Sequence, residues 1–209
     1  CFTVVTGPSG AGKSSLVMHT LVPALQGKSG PWTSTTGLGT LDRLVVVDQS
    51  PIGKTPASNP ATATRVFTPM RRLFAETREA RAKGFGPARF SFNRAEGRCP
   101  ACEGRGALRI EMHFLADVWL ECEDCRGRRF NEETLQILWK GLSIADVLDL
   151  EVGKALEFFD RVEAVRHPLQ LLADVGLGYL PLGQPANTLS GGEAQRLRLA
   201  SELQKRTGP

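Results

Sequence analysis

The hydrophobic pattern changes period several times along the 209-residue chain. Phe2 to Thr6 is a short β-branched apolar run and predicts a buried strand. A glycine-rich turn follows, then helical spacing from about Lys13 to Leu25. Residues 28–40 are rich in Gly, Ser and Thr and predict a loop. The run RLVVVD, Arg43 to Asp48, predicts a second strand, and residues 49–64, with three prolines and no period, predict a long loop. Residues 68–84 read as one helix: Pro69 suits its first turn, and Met70, Leu73 and Thr77 share a face. Residues 97–131 form a separate unit in which 108–121 read as a hairpin between two cysteine pairs. Beyond it, 131–141 and 143–160 have helical spacing. Residues 162–178 split at Pro168, which is expected to start a helix rather than interrupt one. A last helix begins near Ser190 and carries Leu197, Ala200 and Leu203 on one face. No internal repeat is visible.

Composition narrows this picture. The apolar and charged fractions are ordinary for a soluble globular protein, and no apolar run approaches a membrane span. The first residues are Cys1-Phe2-Thr3, with no initiator Met and no signal-peptide pattern, so the chain reads as a piece of something larger. A net charge of +4 is mild, but its distribution is uneven. Between Met70 and Arg98 eight Lys or Arg face three acids, a pattern open both to a solvated helix face and to a polyanion.

Two motifs carry phosphate chemistry. Gly7-Pro8-Ser9-Gly10-Ala11-Gly12-Lys13-Ser14-Ser15 fits G-x-x-x-x-G-K-[ST] between an expected strand and an expected helix. The glycines let backbone N–H groups turn toward phosphate oxygens, Lys13 reaches the β- and γ-phosphates, and Ser14 can ligate Mg²⁺. Leu189 to Arg196, LSGGEAQR, reads as an ABC-type ATPase signature, with Ser190, Gly191 and Gly192 at a helix start. Ser190 and Glu193 also make a capping box that any helix can use. Asp48, at the end of LVVVD, imitates the metal-binding acid of a Walker B strand, but Gln49 follows it rather than a second acid. With the signature downstream, Gln49 reads as the Q-loop glutamine and Asp48 as a decoy. The fold class expected is α/β: a partial P-loop NTPase (ABC ATPase-like) core with an inserted zinc-binding module and a helical signature subdomain.

Cys99-x-x-Cys102 and Cys122-x-x-Cys125, nineteen residues apart, have the spacing of a four-thiolate zinc site, each pair followed by a glycine suited to a knuckle turn. Four thiolates leave no open coordination position, so the metal is expected to be structural. A redox role for the pairs is the weaker alternative, and His19, His113 and His167 read as packing or surface residues.

Together these motifs resemble the UvrA family of damage-recognition ATPases in bacterial nucleotide excision repair. The match is to the second, C-terminal nucleotide-binding half and covers nearly the whole chain. The blocks are VVVDQSPIGKTPASNPAT, RFSFN, GRCPACEGRG, IEMHFLADVWLECEDCRGRRFNEETL and DVGLGYLPLGQPANTLSGGEAQRLRLASEL. The resemblance divides the chain into a partial ATP-binding core (1–69), a basic helical connection (70–96), the zinc module (97–131) and the signature subdomain (132–209). It implies a cytoplasmic protein that binds ATP, Mg²⁺, Zn²⁺ and damaged double-stranded DNA and helps load UvrB in the DNA-damage (SOS) response of the excision nuclease system. It also implies that the signature completes a nucleotide site across an interface, with the other nucleotide-binding half and a second protomer as partners. Arg105, Arg126, Arg128 and Arg129 around the knuckles are the candidate contacts to DNA phosphates. Walker B, the catalytic glutamate, the D-loop and the switch histidine are absent, so no catalytic residue is assigned and ATP turnover by this chain alone is expected to be negligible. Pro8, Ala11 and Ser15 depart from the commoner family loop, which leaves a UvrA-like paralogue with a non-repair role, such as drug resistance, as the alternative.

Overall fold

The computed structural model describes residues 2–207 except 38, 40, 42, 49–51, 54 and 112–117. The chain divides into two compact units, Cys1–Val47 and Asp48–Pro209.

In the first unit the glycine-rich turn runs into a continuous helical stretch. Ser15–Leu21 is wound as a π-helix, and α1 (Val22–Leu25) continues it, so Pro23 lies inside the stretch and gives up one backbone hydrogen bond there. The two expected strands are not formed. Neither residues 2–6 nor 43–48 pair with another strand, and Val4 and Val5 are 62% and 44% exposed. A β-branched run sets a preference, but a strand exists only as part of a ladder, and among the described residues these runs are not in one. Gln49 lies outside the described residues.

The second unit is built on a different economy. α2 (Pro60–Ala63) sits inside the segment expected to be a loop; Asn59 caps it, its side chain accepting from Thr62 N at 2.9 Å. The helix expected over 68–84 is two helices, α3 (Phe67–Ala75) and α4 (Arg78–Ala82). Thr77 divides them: its hydroxyl accepts from Ala80 N at 3.3 Å, so it serves as an N-cap rather than a face residue. β1 (Ala107–Ile110) and β2 (Val118–Glu121) form the expected hairpin, with Leu108 opposite Leu120 and Ile110 opposite Val118. Residues 131–141, expected to be helical, give only the single turn α5 (Glu132–Leu135) before a second hairpin, β3 (Leu138–Trp139) and β4 (Leu142–Ser143). Lys140 and Gly141, both at positive φ, make its tight turn. α6 (Ile144–Asp149), α7 (Val152–Phe158), α8 (Glu163–Asp174) and α9 (Gly191–Thr207) complete the unit. α8 runs through Pro168 instead of starting there. The missing donor is outweighed by packing, because Val165, Pro168, Leu169 and Leu172 are all buried along one stripe.

One core joins these helices to the cysteine-rich unit. Phe67, Phe74, Phe90, Phe92 and Phe130 are buried within it. Phe92 stacks on Phe67 at 5.1 Å and meets the edge of Phe130 at 6.1 Å. The cysteine-rich unit is closed at its base by the Arg98–Phe130 bridge and by Asn131 N donating to Gly97 O at 3.0 Å.

Candidate metal centre and phosphate-binding turns

The four paired cysteines converge. Cys99, Cys102, Cys122 and Cys125 are all buried, and their Sγ atoms lie within 4.8 Å of one another. Cys99 Sγ and Cys122 Sγ are 4.0 Å apart, and Cys102 Sγ and Cys125 Sγ are 3.6 Å apart. These are not disulfides, whose sulfurs would sit about 2.05 Å apart. A tetrahedral zinc with Zn–S bonds of about 2.3 Å has S···S edges of about 3.8 Å, so the donor set fits that ion.

The knuckles are conformational twins. Glu103-Gly104 and Arg126-Gly127 all have positive φ, which turns the chain so that amides face sulfur. Gly106 N donates to Cys102 Sγ at 3.2 Å. Gly104 has a further constraint: a Cβ there would fall 1.8 Å from Phe92 O. Burial pushes the Cys102 and Cys125 thiols up. Burial acts in the same direction on Cys122, but the Cys125 amide and thiol and the Asp124 amide outweigh it and lower that thiol.

The four arginines of the knuckles do not share one environment. Arg105 is exposed and 3.4 Å from Glu103, and Arg126 is exposed. Arg128 is exposed but reaches α6, donating to Asp146 Oδ1 at 2.9 Å and Ser143 Oγ at 3.2 Å. It thereby reinforces the Ser143–Asp146 capping box. Burial acts upward on Asp146, but the Ser143 hydroxyl and amide and then Arg128 hold it below the usual carboxylate range. Arg129, expected at DNA, is only 7% exposed. Its guanidinium donates to Pro56 O at 3.0 Å and Gly183 O at 2.8 Å, so it is not available to a phosphate backbone. Burial lowers its pKa, against the charges of Asp149, Cys102 and Cys125. Beside it opens a cleft of about 460 Å³ whose walls include Arg105, Trp119, Arg128, Asp149 and Gln184.

In the first unit, Gly10 and Gly12 take φ of 81° and 80°, a region costly for other residues, and Leu16 N donates to Gly12 O at 2.8 Å where the helix starts. Lys13 Nζ folds back on the turn, donating to Gly7 O at 2.8 Å and Pro8 O at 2.6 Å. The ammonium therefore sits over the turn's own backbone.

In the second unit, Ser190, Gly191 and Gly192 are exposed at the start of α9. The capping box is formed. Ser190 N and Ser190 Oγ donate to Glu193 Oε2 at 2.7 and 2.8 Å, and Glu193 N donates back to Ser190 Oγ at 3.3 Å. Two residues that the sequence did not single out complete it. Tyr179, the chain's one tyrosine, donates to Glu193 Oε1 at 2.7 Å, and Arg196 reaches both Tyr179 Oη (3.3 Å) and Gly176 O (2.9 Å). The Tyr179 hydroxyl and then Ser190 hold Glu193 below the usual glutamate range. A depressed carboxylate adds stability above its ordinary pKa and loses it as pH falls through the folded value. Tyr179→Phe is therefore expected to move the Glu193 carboxyl titration upward, read by NMR, and to raise the pH at which the start of α9 frays. An unmoved titration would show that Tyr179 does not hold the box. The carboxylate of Asp48, the residue expected to imitate a Walker B acid, accepts from Arg198 on α9.

No protein-family model matches the chain. It is 57% identical to UvrABC system protein A of Methanothermobacter thermautotrophicus, over 99% of this chain and 22% of that protein. It is 54% identical to UvrABC system protein A of Thermus thermophilus, over 99% of this chain and 23% of that protein. Among solved structures it matches UvrA2 from Deinococcus radiodurans with a TM-score of 0.88 and 50% identity, covering 96% of this chain and 25% of that one. The chain thus spans less than a quarter of the length of these curated relatives. Among the described residues no helix is long and apolar enough to cross a membrane.

Proposed function

We propose that this chain, homologous over 99% of its length to a segment of UvrABC system protein A, performs the nucleotide-, zinc- and DNA-binding work of a damage-recognition ATPase in nucleotide excision repair. The observation that carries the reading is the 57% identity along nearly the whole chain, which takes in the phosphate loop, both cysteine pairs and the signature.

In this reading the four cysteines hold a structural Zn²⁺, which supplies a cross-link between the two knuckles. Arg105, Arg126 and Arg128 meet phosphates of damaged duplex DNA, Arg128 by exchanging its Asp146 and Ser143 partners for them. Such contacts position the protein without reading sequence, as suits recognition by duplex shape and deformability. Gly7 to Ser15 cradle the phosphates of ATP, with Ser14 on Mg²⁺ and Gln49 sensing the γ-phosphate. To do so Lys13 must leave the Gly7 and Pro8 carbonyls, which the charge of a triphosphate favours. Ser190, Gly191 and Gly192 serve a nucleotide held by another half, so ATP occupancy is tied to how the halves and protomers meet, and through them to UvrB loading.

The nucleotide part is tested by titrating the chain with a fluorescent ATP analogue and Mg²⁺. Charged hydrogen bonds are worth about 1.5–3 kcal/mol, so Lys13→Ala is expected to weaken binding at least about tenfold. Equal binding by the variant would remove the phosphate-loop assignment.

A further inference from the structure

Arg129 is the one arginine of the knuckles that the proposed DNA contact does not use, and it has the most extensive set of partners. Its backbone amide hydrogen-bonds the Cys125 thiol, and its carbonyl accepts from Cys99 N at 2.9 Å. One residue therefore touches both knuckles. Its side chain leaves the module: the two ends of the guanidinium fork donate to Pro56 O and Gly183 O, and its Cζ lies over the Phe92 ring, 5.3 Å from the centroid. Pro56 belongs to the segment that follows Gln49, and Gly183 to the segment that leads to Ser190. These two segments also bind each other directly, Ala186 N donating to Ser58 O at 2.7 Å and Ala61 N to Leu182 O at 3.1 Å.

The energetics call for a counter-charge. A buried cation without a partner is costly, and carbonyl dipoles only partly offset it. No carboxylate forms an ion pair with Arg129 among the described residues; Asp149, Cys102 and Cys125 act on it only through space. Four thiolates around one divalent ion carry a net charge of about −2, and such outer partners commonly tune a metal site. The backbone at Arg129 has φ of 70°, a strained value for arginine, which further argues that the position is set by the side chain's partners.

We infer that Arg129 couples the zinc centre to the signature-bearing segment, serving at once as counter-charge to the thiolates and as the clamp that joins Pro56 to Gly183. This rests on the zinc reading above. When the metal leaves, the four sulfurs take up protons and the cluster loses its net negative charge; the guanidinium then has less reason to stay buried and release of Gly183 follows. The zinc module is thereby a positioning device for the signature as well as a platform for DNA.

The test uses the zinc-loaded chain and two variants, with zinc release to a chromogenic chelator and amide exchange over residues 181–190 as readouts. Arg129→Lys keeps the charge but replaces the two-ended planar fork, whose separate nitrogens reach Pro56 O and Gly183 O, with a single nitrogen; Arg129→Met keeps neither. Zinc release is expected to accelerate about 10- to 100-fold in Arg129→Met and only a few-fold in Arg129→Lys. Exchange over 181–190 is expected to rise in both, and in the native chain on chelation. Cobalt substituted for zinc adds a spectroscopic check, because its d–d bands should shift in Arg129→Met and not merely lose intensity. Should Arg129→Met fail to fold, Arg129→Lys decides through exchange alone. Native zinc release in Arg129→Met, or unchanged 181–190 exchange in Arg129→Lys, overturns the coupling. A native chain that binds no zinc under reducing conditions overturns instead the zinc reading beneath it.

Discussion

Cys122→Ser is expected to abolish zinc binding and open the whole of residues 97–131. The reason lies in how little else holds that unit. Its hairpin is two strands of four residues each, and Leu108, Ile110, Val118 and Leu120 on one face of it are 39–51% exposed. A two-stranded hairpin with an uncovered apolar face is marginal in water by itself. Apart from Phe130 at its base, which belongs to the main core, the buried apolar interior of the module is the cysteine cluster itself. A structural zinc contributes on the order of 10 kcal/mol, far more than this hairpin can supply from packing. Zinc per chain and amide exchange across 97–131 measure the effect together. The native chain should hold one equivalent and protect β1 and β2; the variant should do neither. Retained protection without metal would mean that the module folds on its aromatic contacts alone.

The second large effect is expected at Phe92. Its ring is fully buried, stacked on Phe67 of α3 and packed against Phe130 at the base of the module, with the Arg129 guanidinium above it. Phe92→Ala removes the contact through which the module and the helices share a core. Truncating a buried phenylalanine costs about 3–5 kcal/mol. Chemical denaturation of the zinc-loaded chain should show a lower midpoint with little change in slope, since the same surface is exposed on unfolding. A loss below about 1 kcal/mol would mean that the aromatic cluster collapses around the gap and is not the joint described.

What could be read from the sequence was whatever is set by neighbours in the chain. The cysteine pairs were legible because a knuckle is a local turn, and the Glu103-Gly104 and Arg126-Gly127 conformations follow from the glycine after each pair. The Ser190–Glu193 capping box was legible for the same reason. The strands at 2–6 and 43–48 were not, because a strand needs partners that composition cannot supply. Thr77 hid a helix break inside a continuous period, and Pro168 suggested a break that buried packing overrides. Arg129 was the most misleading residue. In the sequence it is one of a run of like charges in RGRR; in the fold, burial separates it from Arg128 beside it and gives it a different task. Tyr179 carried a faint signal, as a lone tyrosine shortly before the signature, but its bond to Glu193 is a tertiary fact.

The claim that this chain works on DNA is tested most directly by the salt dependence of duplex binding. Anisotropy titrations of a labelled duplex carrying a bulky adduct would be run from low to physiological salt, for the zinc-loaded chain and for a triple variant with Arg105, Arg126 and Arg128 replaced by Gln. Each phosphate contact contributes about −0.9 to the slope of log K against log salt. If all three arginines meet phosphates, the slope should become shallower by about 2.7, with affinity lost at every duplex sequence alike. Equal slopes and equal affinities for the two proteins would contradict the proposed DNA surface.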